Sequence, residues 1–277
     1  MGAAANRIKN LADCFINDGN LVEIICPLPN YPKGKIFKKY KYKFNLEETI
    51  DKITVKRYWI YPSISKNLLK RFFSMFSFSL SMWFSFFSLY KNKPNLIIIQ
   101  SPPLLVALSG LLLSKLLKVD NVLNVSDLWP LSAYEMGVLK KGRTYKVLEK
   151  IENINYKLAD KIIGQSNEII SHIKRKIDKE GIVYRNVPKL KIYNLKESKN
   201  KKLTIVYAGL LGFAQDILEI CKNIDFKKLD VEFHIYGIGS QESKIAEYAN
   251  NVENIFFHGS RNSNEIKEEI LKYDIVN

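Results

Sequence analysis

A carboxylate, an indole and a rigid turn stand together at Asp127-Leu128-Trp129-Pro130. The apolar, mostly β-branched run Val122, Leu123 and Val125 precedes them and breaks at Ser126-Asp127. Pro130 cannot donate to a β-ladder and biases Trp129 away from helix, so a strand ends here. In an open parallel α/β sheet, ligands bind beyond the carboxyl ends of the strands. Asp127, Trp129 and the rigid Pro130 turn thus stand where a small molecule would be held. The competing reading is structural: Asp127 caps the next helix, and Trp129 packs beneath it.

A second chemistry is anion binding. Gly2-Ala3-Ala4-Ala5-Asn6-Arg7 runs into Ile8, Leu11, Ala12, Phe15 and Ile16, an apolar set at helical spacing. A small-residue loop feeding a helix N-terminus leaves backbone N–H groups free for an anion. No strand precedes this loop, where a doubly wound domain would have one. Gly209-x-x-Gly212 and Gly237-x-Gly239 each follow a predicted strand, where backbone can approach a diphosphate. Neither is a full GxGxxG fingerprint, and each glycine alone reads as a turn residue. Taken together they describe a cleft between two α/β domains that receives an anionic sugar nucleotide.

The elements that would carry these residues alternate in type. Predicted strands at Leu21–Cys26, Ile53–Trp59, Leu96–Gln100, Val122–Val125, Lys161–Gly164 and Gly181–Arg185 are interleaved with helices, which implies βα units and a parallel sheet. The first strand leads into Pro27-Leu28-Pro29-Asn30-Tyr31-Pro32-Lys33-Gly34, a rigid loop offering Asn30 and Lys33. Residues 189–202 are polar and charged and read as a linker. The pattern then restarts at Leu203–Tyr207, Val231–Tyr236 and Ile255–Phe257, with Arg261 beyond the last, and ends on YDIVN as a half-strand. The fold class is α/β: a domain over 1–188 lacking its first strand, and a partial second domain over 203–277.

Residues 72–89 carry no charge and are about long enough for a membrane span. Ser74, Ser77, Ser81, Ser85 and Ser88 nevertheless form one small polar stripe. An interfacial or groove-lining helix is expected, with a true span as the alternative.

The net charge of +15 is one-sided: residues 1–190 hold 31 Lys/Arg against 15 Asp/Glu, and residues 191–277 hold 12 against 13. Such a field favours anionic partners. Nucleic acid is set aside, because no helix-turn-helix, zinc site or aromatic RNA-binding strand accompanies the charge. An anionic membrane surface and phosphorylated substrates remain. Three unpaired cysteines and the lack of a leader pattern point to the cytoplasm. Three dispersed histidines offer no metal site.

On GAAANR (Gly2–Arg7), PLPNYPKG (Pro27–Gly34), SDLWP (Ser126–Pro130) with Met136–Leu139, QSNEI (Gln165–Ile169) and YAGLLGFAQ (Tyr207–Gln215), the sequence resembles the family-four-type GT-B glycosyltransferases of bacterial surface polysaccharide synthesis. It is most similar to those transferring N-acetylfucosamine-type sugars in O-antigen and capsule assembly. The resemblance implies two Rossmann-like domains and retaining transfer without a cofactor or metal. It implies a nucleotide-diphosphate sugar, UDP-linked, held by Gly2, Ala3, Ala4, Asn6, Arg7, Gly209, Gly212, Gln215, Gly237, Gly239 and Arg261. The acceptor would be a polyprenyl-diphosphate-linked saccharide at the inner face of the plasma membrane, met by Asn30, Lys33, Trp129 and Pro130, with Asp127 catalytic. Leu210 and Gln215 stand where many relatives carry Arg and Lys, and the family's E-x7-E element is missing. A non-catalytic fragment of such an enzyme, or a basic nucleic-acid-binding protein, is the alternative.

Overall fold

The structure is a computed structural model describing residues 3–30, 34–63, 68–185 and 202–276. The chain forms two compact units, Met1–Pro188 and Lys189–Asn277. Most of the expected linker, and Gly2 and Lys33, lie outside the described residues.

Unit 1 opens with α1 (Ala3–Asn17), so the small-residue run from Ala3 is helix and not the loop expected of it. Alanine has the highest helix propensity, and the helix therefore extends back through the stretch. Ala12 packs this helix on β1 (Glu23–Pro27) and β3 (Ile53–Tyr58), against Ile24, Ile53 and Val55. On the far side of β3 from β1 lies β2 (Asn45–Ile50), antiparallel to β3 through a two-residue turn in which Asp51 and Lys52 both take positive φ. This strand is absent from the sequence reading because its residues, NLEETI, are largely polar. Cross-strand pairing holds it, with Arg57 Nε donating to Glu48 Oε1 at 2.5 Å.

An all but continuous helix follows: α2 (Leu68–Ser81), a single 3-10 turn and α3 (Ser85–Lys91). Its serines face inward. Ser81 Oγ donates to the Trp59 carbonyl, Ser79 Oγ to the Leu105 carbonyl, and Ser77 Oγ accepts the Tyr61 N–H.

The second sheet of unit 1 is parallel, ordered β4 (Leu96–Ser101), β5 (Asp120–Val125), β6 (Lys161–Gly164) and β7 (Ile182–Val183). Its connections are α4 (Leu104–Leu117), α5 (Leu131–Glu135) with α6 (Arg143–Leu158), and α7 (Asn167–Ile177). Lys118 and Asp178, both left-handed, end α4 and α7, while Ser166 Oγ caps α7 by accepting the Ile169 N–H. Ile99, Leu123 and Ile162 from three strands meet Ala107, Leu111, Tyr156 and Ile173 from the helices in one core. Each such fully buried aliphatic side chain contributes about 1.5–3 kcal/mol. The expectation of a single parallel sheet is corrected: among the described residues β1 and β4 do not pair, although Ile25 and Ile97 share a hydrophobic cluster.

Unit 2 is one parallel sheet, ordered β10 (Ile255–Gly259), β9 (Val231–Ile238), β8 (Leu203–Leu210) and β11 (Ile275–Val276). The half-strand read at YDIVN thus finds a place beside β8, where Asp274 accepts from both the amide and hydroxyl of Thr204. On one face of the sheet Phe233, Ile235 and Ile255 pack with α8 (Ile217–Asn223) and α9 (Glu242–Ala249). The last helix is α10 (Ser263–Glu269).

Candidate functional site

In unit 1, β4, β5 and β6 end level, because Ser101 pairs with Val125 and Val125 with Gly164. Their carboxyl edge is linked by side chains. Gln100 Nε2 donates to Ser126 Oγ at 2.8 Å and accepts at Oε1 from Asn124 Nδ2 at 3.1 Å. Ser126 reaches back to the Ser101 carbonyl through its N–H and its hydroxyl. Arg7, half-buried in the second turn of α1, donates from Nη1 to Gln165 Oε1 at 2.8 Å. It ties the first helix to the turn after β6. Arg7 and the SDLWP turn are thereby brought to one edge.

Asp127 is exposed there and accepts the Ser132 hydroxyl at 3.0 Å. It does not cap the following helix: α5 starts behind Pro130 with no side-chain cap. Its other carboxylate oxygen has no hydrogen-bond partner among the described residues. Trp129 is half-exposed, and Pro130 is buried after a cis peptide. Asn30 turns onto its own loop, donating to the Leu28 carbonyl at 2.9 Å. Ala3, Ala4 and the exposed Asn6 lie on α1.

Unit 2's edge is built from backbone. The sequence places Gly209 after a strand; instead β8 runs on to Leu210, with Gly209 opposite Gly237 and Leu210 opposite Ile238. A Cβ on Gly237 would lie 2.0 Å from the Gly209 carbonyl oxygen, and one on Gly239 would lie 2.3 Å from that of Leu211. These glycines are required by the crossing of the two strand ends, where Leu211 N–H donates to the Ile238 carbonyl and Gln241 N–H to that of Leu211. The Gln215 side chain folds back to accept the Gly212 N–H at 3.1 Å. Gln241, a residue the sequence reading passed over, is 6% exposed, and its Oε1 has no partner among the described residues. A glutamine in a loop carries no signal of this burial.

The parallel register also joins two histidines that are far apart in sequence. His234 Nδ1 and His258 Nε2 lie 2.9 Å apart, and Tyr236 stacks on His258 while its hydroxyl meets that of Tyr273 at 2.8 Å. Burial lowers both imidazole pKa values, helped at His258 by His234 and by the Arg261 guanidinium beyond β10. Among the described residues no group of three His, Cys, Asp or Glu could hold a metal.

This architecture recurs in solved structures. Arabidopsis thaliana UGT89C1 is similar at TM-score 0.59 and 10% identity over 98% of this chain and 70% of its own. Its complex with UDP-L-rhamnose gives 0.54 and 9%, over 92% and 66%. Anabaena Alr3699/HepE in complex with UDP-glucose gives 0.52 and 12%, over 93% and 73%. The fold is of the GT-B type. The chain spans 39% of S. aureus TarM, to which it is similar at TM-score 0.48 and 16% identity. No family model and no curated sequence matches the chain.

Proposed function

We propose that this chain is the framework of a glycosyltransferase that moves a deoxyamino sugar from a UDP-linked donor to a lipid-linked saccharide in surface polysaccharide synthesis. The observation that carries the reading is the glycine-built carboxyl edge of the unit 2 sheet, in a fold shared with two proteins solved with UDP-sugars. At Gly237 and Gly239 backbone lies directly against backbone with no room for a Cβ, and it is there that a diphosphate can approach closely. Arg261 supplies the positive charge that Leu210 and Gln215 do not.

Unit 1 receives the acceptor. Asp127 orients the acceptor hydroxyl and takes its proton as a bond forms from that oxygen to the sugar's anomeric carbon. The bond from that carbon to the phosphate oxygen breaks on the same face as the new bond forms, so the anomeric configuration is retained, and the diphosphate leaves with the electron pair. N–H groups and cations stabilise the leaving charge. Trp129, set by the buried Pro130 behind it, forms the wall against which the acceptor lies, at the inner face of the plasma membrane.

The test is nucleotide release from UDP-, GDP- and dTDP-sugars with a short-chain lipid-linked saccharide as acceptor. Acceptor-dependent release of UDP, lost in Asp127→Asn, is the expected result. Release that ignores the acceptor, or none from any donor, would overturn the reading.

A further inference from the structure

The helix over Leu69–Lys91 is long and apolar enough to cross a membrane by length and composition. Its packing rules against that use. The serine face is spent inside unit 1: Ser79 meets Ser109 Oγ at 2.7 Å, Trp83 Nε1 donates to the same Ser109, and Lys56 Nζ donates to Ser88 Oγ at 2.5 Å. The outward face is the aromatic one. Phe73, Phe76, Leu80, Phe84, Phe87 and Tyr90 recur every three or four residues and are 39% to 74% exposed. Twenty-odd helical residues make this stripe about 30 Å long. A water-soluble surface helix shows the opposite polarity.

Two stretches around the stripe are basic, and of their cations Lys39, Lys56 and Arg57 are paired with Glu23, Glu47 and Glu48 while Lys38, Lys41 and Lys43 are exposed. Between Asp51 and Asp120 the sequence holds ten Lys/Arg and no Asp or Glu. From Ile24 to Leu46 it holds six lysines and again no carboxylate. The two stretches meet in space, because Phe44 packs edge-on against Phe84 with centroids 5.0 Å apart. That contact brings the exposed Lys38, Lys41 and Lys43 beside the stripe, with Tyr42 projecting between them. A cleft of about 520 Å³ opens along the join, walled by Trp59, Tyr61 and the helix aromatics.

We propose that this face of unit 1 lies in the interface of an anionic lipid bilayer: the aromatic stripe sinks to the acyl boundary, the lysines of residues 35–43 sit among the headgroups, and the helix does not cross. Amphipathic helices with aromatics on one face and adjacent lysines bind in this manner, and each lysine near such a surface adds attraction that salt screens. The proposal extends the lipid-linked acceptor of the proposed function but rests on different residues, so the two can fail separately.

The experiment is co-sedimentation of the full chain with vesicles of phosphatidylcholine alone or mixed with phosphatidylglycerol. Binding is expected to the mixed vesicles, to weaken at high salt, and to be released by alkaline wash. Phe84→Ser with Phe87→Ser should cut it by roughly tenfold or more, and Lys38→Glu with Lys41→Glu by on the order of fivefold per lysine removed. All four side chains are exposed; unchanged melting and UDP binding in each variant verifies the fold and separates this outcome from loss of donor binding. Equal binding to both vesicle types, retention through the alkaline wash, indifference to the substitutions, or no binding at all would each overturn the proposal.

Discussion

The carboxyl edges of the two parallel sheets are made of different material. In unit 1 side chains meet: Gln100, Asn124 and Ser126 form a chain, Arg7 is anchored on Gln165, and Asp127 is left exposed. In unit 2 backbone meets backbone, with glycines where any Cβ would collide with a carbonyl oxygen. A side-chain edge offers groups that donate and accept hydrogen bonds, suited to orienting a hydroxyl. A glycine edge offers close approach of the backbone, suited to a phosphate. The first can be broken by deleting atoms, the second only by adding them.

The largest expected effect is therefore an addition. Gly237→Ala forces a methyl into the Gly209 carbonyl and should cost unit 2 about 3 kcal/mol. Urea unfolding read by calorimetry would show it; a cost under about 1 kcal/mol would mean the strands part easily. Asp127→Asn should do the reverse. Its stability change stays within about 0.5 kcal/mol, as for exposed sites, while transfer falls by about 100-fold. Equal loss of both would make Asp127 structural. Arg7→Met removes one charge-assisted bond to Gln165 and should cost unit 1 about 1 kcal/mol by the same unfolding measurement.

The smallest effect separates the units by pH. Burial holds the His234 and His258 pKa values below the ordinary 6.5. Below that pH the unfolded chain takes up protons that the folded unit refuses, so unit 2 loses stability as pH falls through 6.5. Unit 1 behaves differently. His172 is lowered in the same way, but burial raises Glu152, which takes its proton earlier in the folded state and offsets the loss. A melting series from neutral to mildly acidic pH should move the unit 2 transition more. His258→Phe, which keeps the stacking, should flatten that dependence.

Much of this was legible in the sequence. The abrupt stop at Ser126-Asp127 marked a strand end because proline and apolar patterning are local signals. The glycines at 237 and 239 were visible too, but their reason was not. Only the paired register of β8 and β9 shows that a Cβ has nowhere to go. The start of α1 was misread because small residues serve loops and helices equally, and alanine favours the helix. The strand β2 escaped because pairing with β3, not its own apolar content, holds it. The His234–His258 contact depends on register between neighbouring strands and leaves no trace in sequence spacing.

The central claim is that the glycine edge of unit 2 serves a nucleotide sugar. Thermal unfolding of the full chain in a panel of UDP-, GDP- and dTDP-sugars tests it most directly, since a ligand that binds only the folded state raises its stability. The account predicts a concentration-dependent rise with UDP-sugars alone, preserved in Asp127→Asn and lost in Arg261→Ala. A cooperative melt that no nucleotide sugar moves would contradict it.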